Sequence, residues 1–234
     1  MTRILTVYAH PDDESFGPSA LLANHARQGS QLRGLWFTRG ERGRPSQEPP
    51  LPPIELAQAR EADLHAVADL IGYAEVEILK YADGSLDRVP RAELVSIILD
   101  RLRQFRPDAV ITFGPAGITR HPDHIAIGQA ATTAFREARA DGLLLGGLFY
   151  DAVPPERARQ MGIAEAPDGQ PNTWIDVGDA AHVKLSALRL HARHVADARE
   201  RANAIAAAGP ARRYSLYRAW PPVPAGSIIR ALVD

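Results

Sequence analysis

The chain has 234 residues, 45% hydrophobic and 24% charged, a size and balance that suit a soluble protein with one sizeable core. A formal net charge of −1 gives no general attraction to nucleic acid or to an anionic membrane, so neither is expected as a partner. Cysteine is absent, which excludes disulfides, thiolate metal sites, iron–sulfur clusters and cysteine nucleophiles and leaves His, Asp and Glu to hold any metal.

The opening MTRILTVYAH has an apolar run far too short to span a bilayer, and no small-residue cleavage site follows it. A soluble, cytoplasmic protein is expected. Residues 3–9 (RILTVYA) are nearly all apolar or β-branched, the pattern of a strand buried on both faces in a parallel sheet. A helix is predicted over 18–28, with proline in its first turn and Gly29 just past its end. Strand 31–38 (QLRGLWFT) follows, then a helix over 54–70 ended by Gly72, and a strand over 76–81. A further helix over 92–104 stops before Pro107, and 109–113 (AVITF) reads as another buried strand. A helix over 125–139 and an apolar stretch over 143–150 continue the alternation.

Strands alternating with helices predict an α/β fold, a Rossmann-like doubly wound sheet with mostly parallel central strands. No internal repeat and no second domain is visible, so one domain over 1–234 is expected. Two segments break the rhythm: 39–53 with its five prolines, and 153–172, rich in Pro, Gly and Ala. Both exceed a plain connection and are candidate lids over a site, or merely surface loops.

The chemistry-bearing residues fall into two groups. Ala9-His10-Pro11-Asp12-Asp13-Glu14 follows the first strand, and His121-Pro122-Asp123-His124 follows the fourth. In an open α/β sheet, ligands bind beyond the carboxyl ends of the strands, where the strand order reverses. An order of 3-2-1-4-5 would set that reversal between strands one and four, so both motifs would face one crevice. Zinc without thiolates is held by imidazole and carboxylate, with three protein ligands and an open position. His10, Asp13 and His124 can supply that set. Asp12 is then free to act as general base on an attacking water. His121 can polarise the amide carbonyl, stabilise the oxyanion or protonate the leaving nitrogen, and Asp123 is spaced to orient it. The competing reading makes Asp12, Asp13 and Asp123 simple helix caps.

These residues resemble the signatures of the PIG-L / LmbE-like family of zinc-dependent de-N-acetylases, A-H-P-D-D-E at 9–14 and H-P-D-H at 121–124. Further likenesses are Thr38-Arg39-Gly40-Glu41, similar to a T-R/D-G-E turn, and Tyr81-Ala82-Asp83-Gly84, similar to Y-x-D-G. Arg60 matches an R-x-x-E helix in which Asp63 replaces the usual glutamate. Lys184, Ala187 and His191 match the start of K-x-x-A-x-x-x-H-x-S-Q, where Arg193 and His194 replace Ser and Gln. The matches span roughly four-fifths of the chain. The resemblance implies an LmbE-like fold with His10, Asp13 and His124 as zinc ligands. It also implies Asp12 as base, His121 on the oxyanion side, and Asp123 behind it. Arg60 and Asp83 become candidate substrate-binding residues, with surface ion pairing as the alternative.

The implied activity is deacetylation of an N-acetylglucosaminyl conjugate, with a thiol-pathway deacetylase of the bacillithiol kind as the first expectation. Zinc is the expected metal, and iron(II) also fits a His-Asp-His set. A homo-oligomer is expected, as for many cytosolic enzymes. Three other readings compete: an amidase acting on another amide such as a thiol conjugate, a non-catalytic metal-bearing sugar-binding relative, and a nucleotide-binding module. The last would need a glycine-rich turn where the chain has His-Pro-Asp-Asp-Glu, whose carboxylates repel a pyrophosphate. His25 and His65 read as ordinary helix residues. His191 and His194 stand three apart; a packing role for His191 is the expectation, ahead of a second metal.

Overall fold

The computed structural model describes residues 1–160, 162, 171–209, 211 and 213–220. Its elements in chain order are β1 (Arg3–Tyr8), α1 (Asp13–Phe16), α2 (Ser19–Arg27), β2 (Gln31–Thr38), α3 (Pro53–Ile71) and β3 (Glu75–Tyr81). There follow α4 (Arg91–Phe105), β4 (Ala109–Phe113), α5 (Gly117–Arg120), α6 (Pro122–Ala140), β5 (Gly147–Asp151) and α7 (Pro155–Gln160). The last are β6 (Thr173–Asp176), α8 (Ala181–His191), α9 (Ala196–Ala208) and β7 (Arg213–Trp220). This is an α/β fold with mostly parallel strands and helices on both sides, as the alternation predicts.

The described residues fall into two compact units, each built from separated stretches of chain. One draws on Met1–Tyr8, Gly84–Ile175 and Ser215–Asp234, the other on Ala9–Asp83 and Asp176–Tyr214. In the first, β1, β4 and β5 run parallel in that order, with Ile4 opposite Ala109 and Ala109 opposite Gly147. β7 then pairs antiparallel with β5, and β6 lies beyond it. The continuous apolar runs of β1 and β4 are buried along almost their whole length, which is why they carry no polar alternation. Ile98 and Leu102 of α4 and Phe135 of α6 complete this core. In the second unit, β2 and β3 pair parallel, and Leu22, Leu35, Leu64 and Val67 are buried beside them. A further apolar cluster joins Leu188 of α8 to Val195, Ala198, Ala202 and Ile205. Among the described residues, no helix is long and apolar enough to cross a membrane.

The helix predicted over 18–28 is present as α2, and a separate short helix, α1, precedes it, since Pro18 has no N–H to carry one helix through. The helix predicted over 125–139 starts at Pro122, which takes the first helical position, so the second motif is itself the first turn of α6. The C-terminal strands β6 and β7 carry no clear signal in the sequence. Of the candidate lid over 153–172, residues 161 and 163–170 lie outside the described residues.

α6 sits close to the end of β4. A Cβ at Gly128 would come within 2.4 Å of the Gly114 carbonyl oxygen and 2.9 Å of that of Phe113, both backbone atoms. Gly128→Ala is therefore expected to push α6 outward and cost about 1–3 kcal/mol. Thermal unfolding should show the loss as a fall of roughly 2–12 °C in Tm.

Candidate active site

The first motif lies on a strained turn at the end of β1. Asp12 has φ of 139°, a conformation that costs a non-glycine residue on the order of 1–3 kcal/mol. Its neighbours repay that cost. The Asp13 carboxylate turns back on the chain and accepts the amides of His10 (2.7 Å) and Ala9 (3.2 Å). His10 Nδ1 lies 3.7 Å from the same carboxylate, and His10 Nε2 stands 3.0 Å from Asp83 Oδ1. Asp83 also accepts the Arg42 amide, while its own amide donates to Glu41. Burial pushes the Asp83 carboxyl up, but the His10 hydrogen bond and charge, the Arg42 amide and Arg60 outweigh it and bring it down to about 2.

Asp12 faces Arg60 of α3, Oδ2 to Nη2 at 2.9 Å. The same guanidinium donates to the carbonyls of Pro11 and Gly40. Gly40 has φ of 69°, and a Cβ there would meet that guanidinium at 2.2 Å, so only glycine fits beside it. Burial raises the Asp12 carboxyl to about 6 against the opposing charge of Arg60, with Asp13 adding to the rise. Asp12 is the residue before α1, yet its side chain makes no cap hydrogen bond.

Glu14 is fully buried. Its carboxylate accepts from Ser15 Oγ (2.6 Å), Trp36 Nε1 (3.2 Å) and the Asp12 amide (3.2 Å), and meets His191 Nε2 at 2.8 Å. Burial pulls the His191 imidazole down, but the charge and hydrogen bond of Glu14 and the charge of Asp12 outweigh it, and its pKa is raised. Lys184, two turns earlier on α8, donates to the carbonyls of Ser15, Phe16 and Gly17, the free end of α1. Sequence reading left Glu14 without a role and saw Lys184 only as a pattern match. Their spacing held a signal, since Lys184 and His191 are seven apart on one helix face. His191 and His194 do not converge on a second metal: His194 Nδ1 goes to Asp63 at 2.6 Å.

The second motif opens α6. Ile118 (φ 53°) and Arg120 (φ 61°) precede it in strained conformations. His121 is the helix N-cap, its Nδ1 accepting the Asp123 amide at 3.2 Å, which leaves the proton of a neutral ring on Nε2. The rings of His121 and His124 lie 4.9 Å apart, and that of His124 stacks on Phe113 at 4.0 Å. Asp123 is fully buried and accepts the amides of Gly84 (2.8 Å) and Leu86 (2.9 Å). Its carboxylate thus ties the first turn of α6 to the segment after β3, while its backbone amide is what touches His121. None of the three aspartates is spent on the cap that the competing reading assigns it.

A family model described as PIG-L, GlcNAc-PI de-N-acetylase, matches residues 5–135. The chain is 30% identical to the 1D-myo-inositol 2-acetamido-2-deoxy-alpha-D-glucopyranoside deacetylase of Kineococcus radiotolerans, over 82% of this chain and 69% of that protein. It is 29% identical to the probable N-acetyl-alpha-D-glucosaminyl L-malate deacetylase 2 of Bacillus anthracis, over 83% of this chain and 82% of that one. The solved 4-carboxy-2-hydroxymuconate hydratase of Pseudomonas putida is similar at a TM-score of 0.72 and 20% identity, covering 97% of this chain and 100% of that one. A likeness of that kind bears on the fold alone.

The Glu14–His191 pair makes stability depend on pH. A histidine whose folded pKa is raised contributes most below its unfolded value of 6.5, and loses that contribution as pH rises through the folded value. Glu14→Gln leaves His191 buried without its counter-charge, and is expected to cost about 3–5 kcal/mol at pH 6. The difference from wild type should shrink as pH rises through the raised folded value of His191. Urea unfolding at a series of pH values measures it, and a difference that grew with pH would contradict this account.

Proposed function

The chain belongs to the PIG-L family, and we propose that it is a zinc-dependent hydrolase that removes the acetyl group from an N-acetylglucosaminyl conjugate. One observation carries the reading. β1 and β4 are parallel neighbours, with the Tyr8 and Phe113 rings in contact at 5.2 Å; β1 leads directly into the first histidine-aspartate motif, and β4 leads through the short α5 into the second. The deacetylase relatives support the reaction class, and their inositol and malate conjugates support a small polar group on the sugar.

His10, Asp13 and His124 are the proposed zinc ligands. The donor chemistry fits: imidazole and carboxylate come from one short turn, and a second imidazole from a helix start, with no thiolate available. Zinc when bound supplies Lewis-acid polarisation and makes water acidic enough to attack near neutral pH. Iron(II) suits the same donors and is the second metal to test.

Asp12 takes a proton from the attacking water, and its burial gives the carboxyl a basicity suited to that task. The Nε2–H of His121 donates to the oxygen that becomes negative as the carbonyl is attacked, and Asp123 acts behind His121 by holding the turn that aims it. The amide C–N bond then breaks, acetate leaves, and Asp12 hands its proton to the amine nitrogen. Arg60 and Asp83 are the proposed sugar contacts; Arg60 is paired with Asp12 and Asp83 with His10. The reading takes 1–234 as one LmbE-like deacetylase domain acting in the cytoplasm as a homo-oligomer. The thiol-pathway conjugate of the bacillithiol kind is the first substrate to try.

The test is acetate release from N-acetylglucosaminides carrying malate, inositol or simple alkyl groups, after metal removal and zinc or iron(II) add-back. Activity restored by metal and strongest on one conjugate is expected. Asp12→Asn should lower kcat by about 10²–10⁴ while ligand affinity largely remains. Metal uptake without acetate release from any conjugate would overturn the reading, in favour of an amidase for another amide or a sugar-binding relative.

A further inference from the structure

α3 buries a stripe formed by Leu56, Ala57, Arg60, Asp63, Leu64, Val67, Ala68 and Ile71. Two charged residues, one turn apart, sit in the middle of this otherwise apolar face. Burying a carboxylate costs several kcal/mol unless a partner meets it, so the partner of Asp63 controls how this part of the helix seats. That partner is His194, at 2.6 Å from Asp63 Oδ2. His194 is itself held, its amide bonded to the His191 carbonyl at 3.0 Å, while the adjacent Arg193 carbonyl accepts Ser46 Oγ at 2.6 Å. One turn therefore sends two imidazoles in two directions: His191 to Glu14 of the first motif, and His194 to the helix that carries Arg60. Asp63 and His194 are also two of the positions at which the chain departs from the family pattern, and here they touch.

We propose that His194 is a positioning residue: by gripping Asp63 it fixes the seat of α3 that delivers the Arg60 guanidinium to Asp12 and to the carbonyls of Pro11 and Gly40. Its effect on turnover rests on the deacetylase reading given above; its effect on Arg60 does not. What matters is the N–H donor at the Nδ1 position. Asparagine places an amide nitrogen the same number of bonds from Cα, so it can replace that donor, whereas phenylalanine keeps the ring volume and removes it.

The experiment compares wild type, His194→Asn and His194→Phe in the full-length, zinc-loaded protein. The first readout is the ¹⁵N NMR signal of the Arg60 guanidinium, assigned by its loss in Arg60→Met. Wild type and His194→Asn are expected to show a dispersed, slowly exchanging signal that collapses in His194→Phe. The second readout is kinetic. His194→Phe should lower kcat about 10- to 100-fold, the cost of a misplaced group, with zinc content unchanged. His194→Asn should stay within about fivefold of wild type. In an Arg60→Met background His194→Phe should add little, because its effect runs through Arg60. An unperturbed Arg60 signal in His194→Phe, or a loss that adds in full to that of Arg60→Met, would overturn the proposal. A wild-type protein that releases no acetate would overturn the functional reading instead, and the NMR comparison would still decide the role of His194.

Discussion

Asp12, Asp13 and Glu14 stand in a row at the end of a buried strand, and all three are almost out of reach of water. Burying charges in that way is prohibitive unless each finds a specific partner. Each does, and by a different device. Asp12 takes an arginine from α3, Asp13 takes the backbone amides of its own turn, and Glu14 takes a histidine from α8 with an indole N–H and an amide. Much of the second unit can be understood as the supply of these partners.

This explains why α3 and α8 carry charged side chains on faces that otherwise bury apolar ones. Arg60, Lys184 and His191 are fixed by packing and reach the turn as rigid donors. The turn gains a unique conformation, including the unfavourable backbone of Asp12, which isolated local preferences would not select. The second motif uses a simpler scheme. A proline starts the helix, a phenylalanine from the preceding strand stacks on His124, and the buried Asp123 fastens the first turn to the amides of Gly84 and Leu86. The first motif contains a strained residue, Asp12, and the second follows two, Ile118 and Arg120, a pattern found where side chains must be aimed.

A shared fold does not settle chemistry. The hydratase of Pseudomonas putida has the same fold at 20% identity, whereas the relatives at 29–30% identity are deacetylases. A fold carries no chemistry of its own, which lies in the side chains of the site. Here they are imidazoles together with carboxylates, among them Asp12, whose pKa is raised by burial, a set suited to amide hydrolysis.

The sequence alone determined the strand–helix alternation, because buried parallel strands are continuous apolar runs and helices carry their own periodicity and stops. It also determined the two motifs, since His-Pro-Asp-Asp-Glu and His-Pro-Asp-His are local strings whose chemistry does not depend on knowing the fold. It left open what each aspartate does, because a helix cap and a catalytic group look alike in one dimension. Only the tertiary structure paired Asp12 with Arg60, Glu14 with His191, and Asp63 with His194. These partners lie 48, 177 and 131 residues apart, where no local pattern reaches. The same is true of β7, whose place beside β5 is set by pairing with a distant strand rather than by any strong preference of its own.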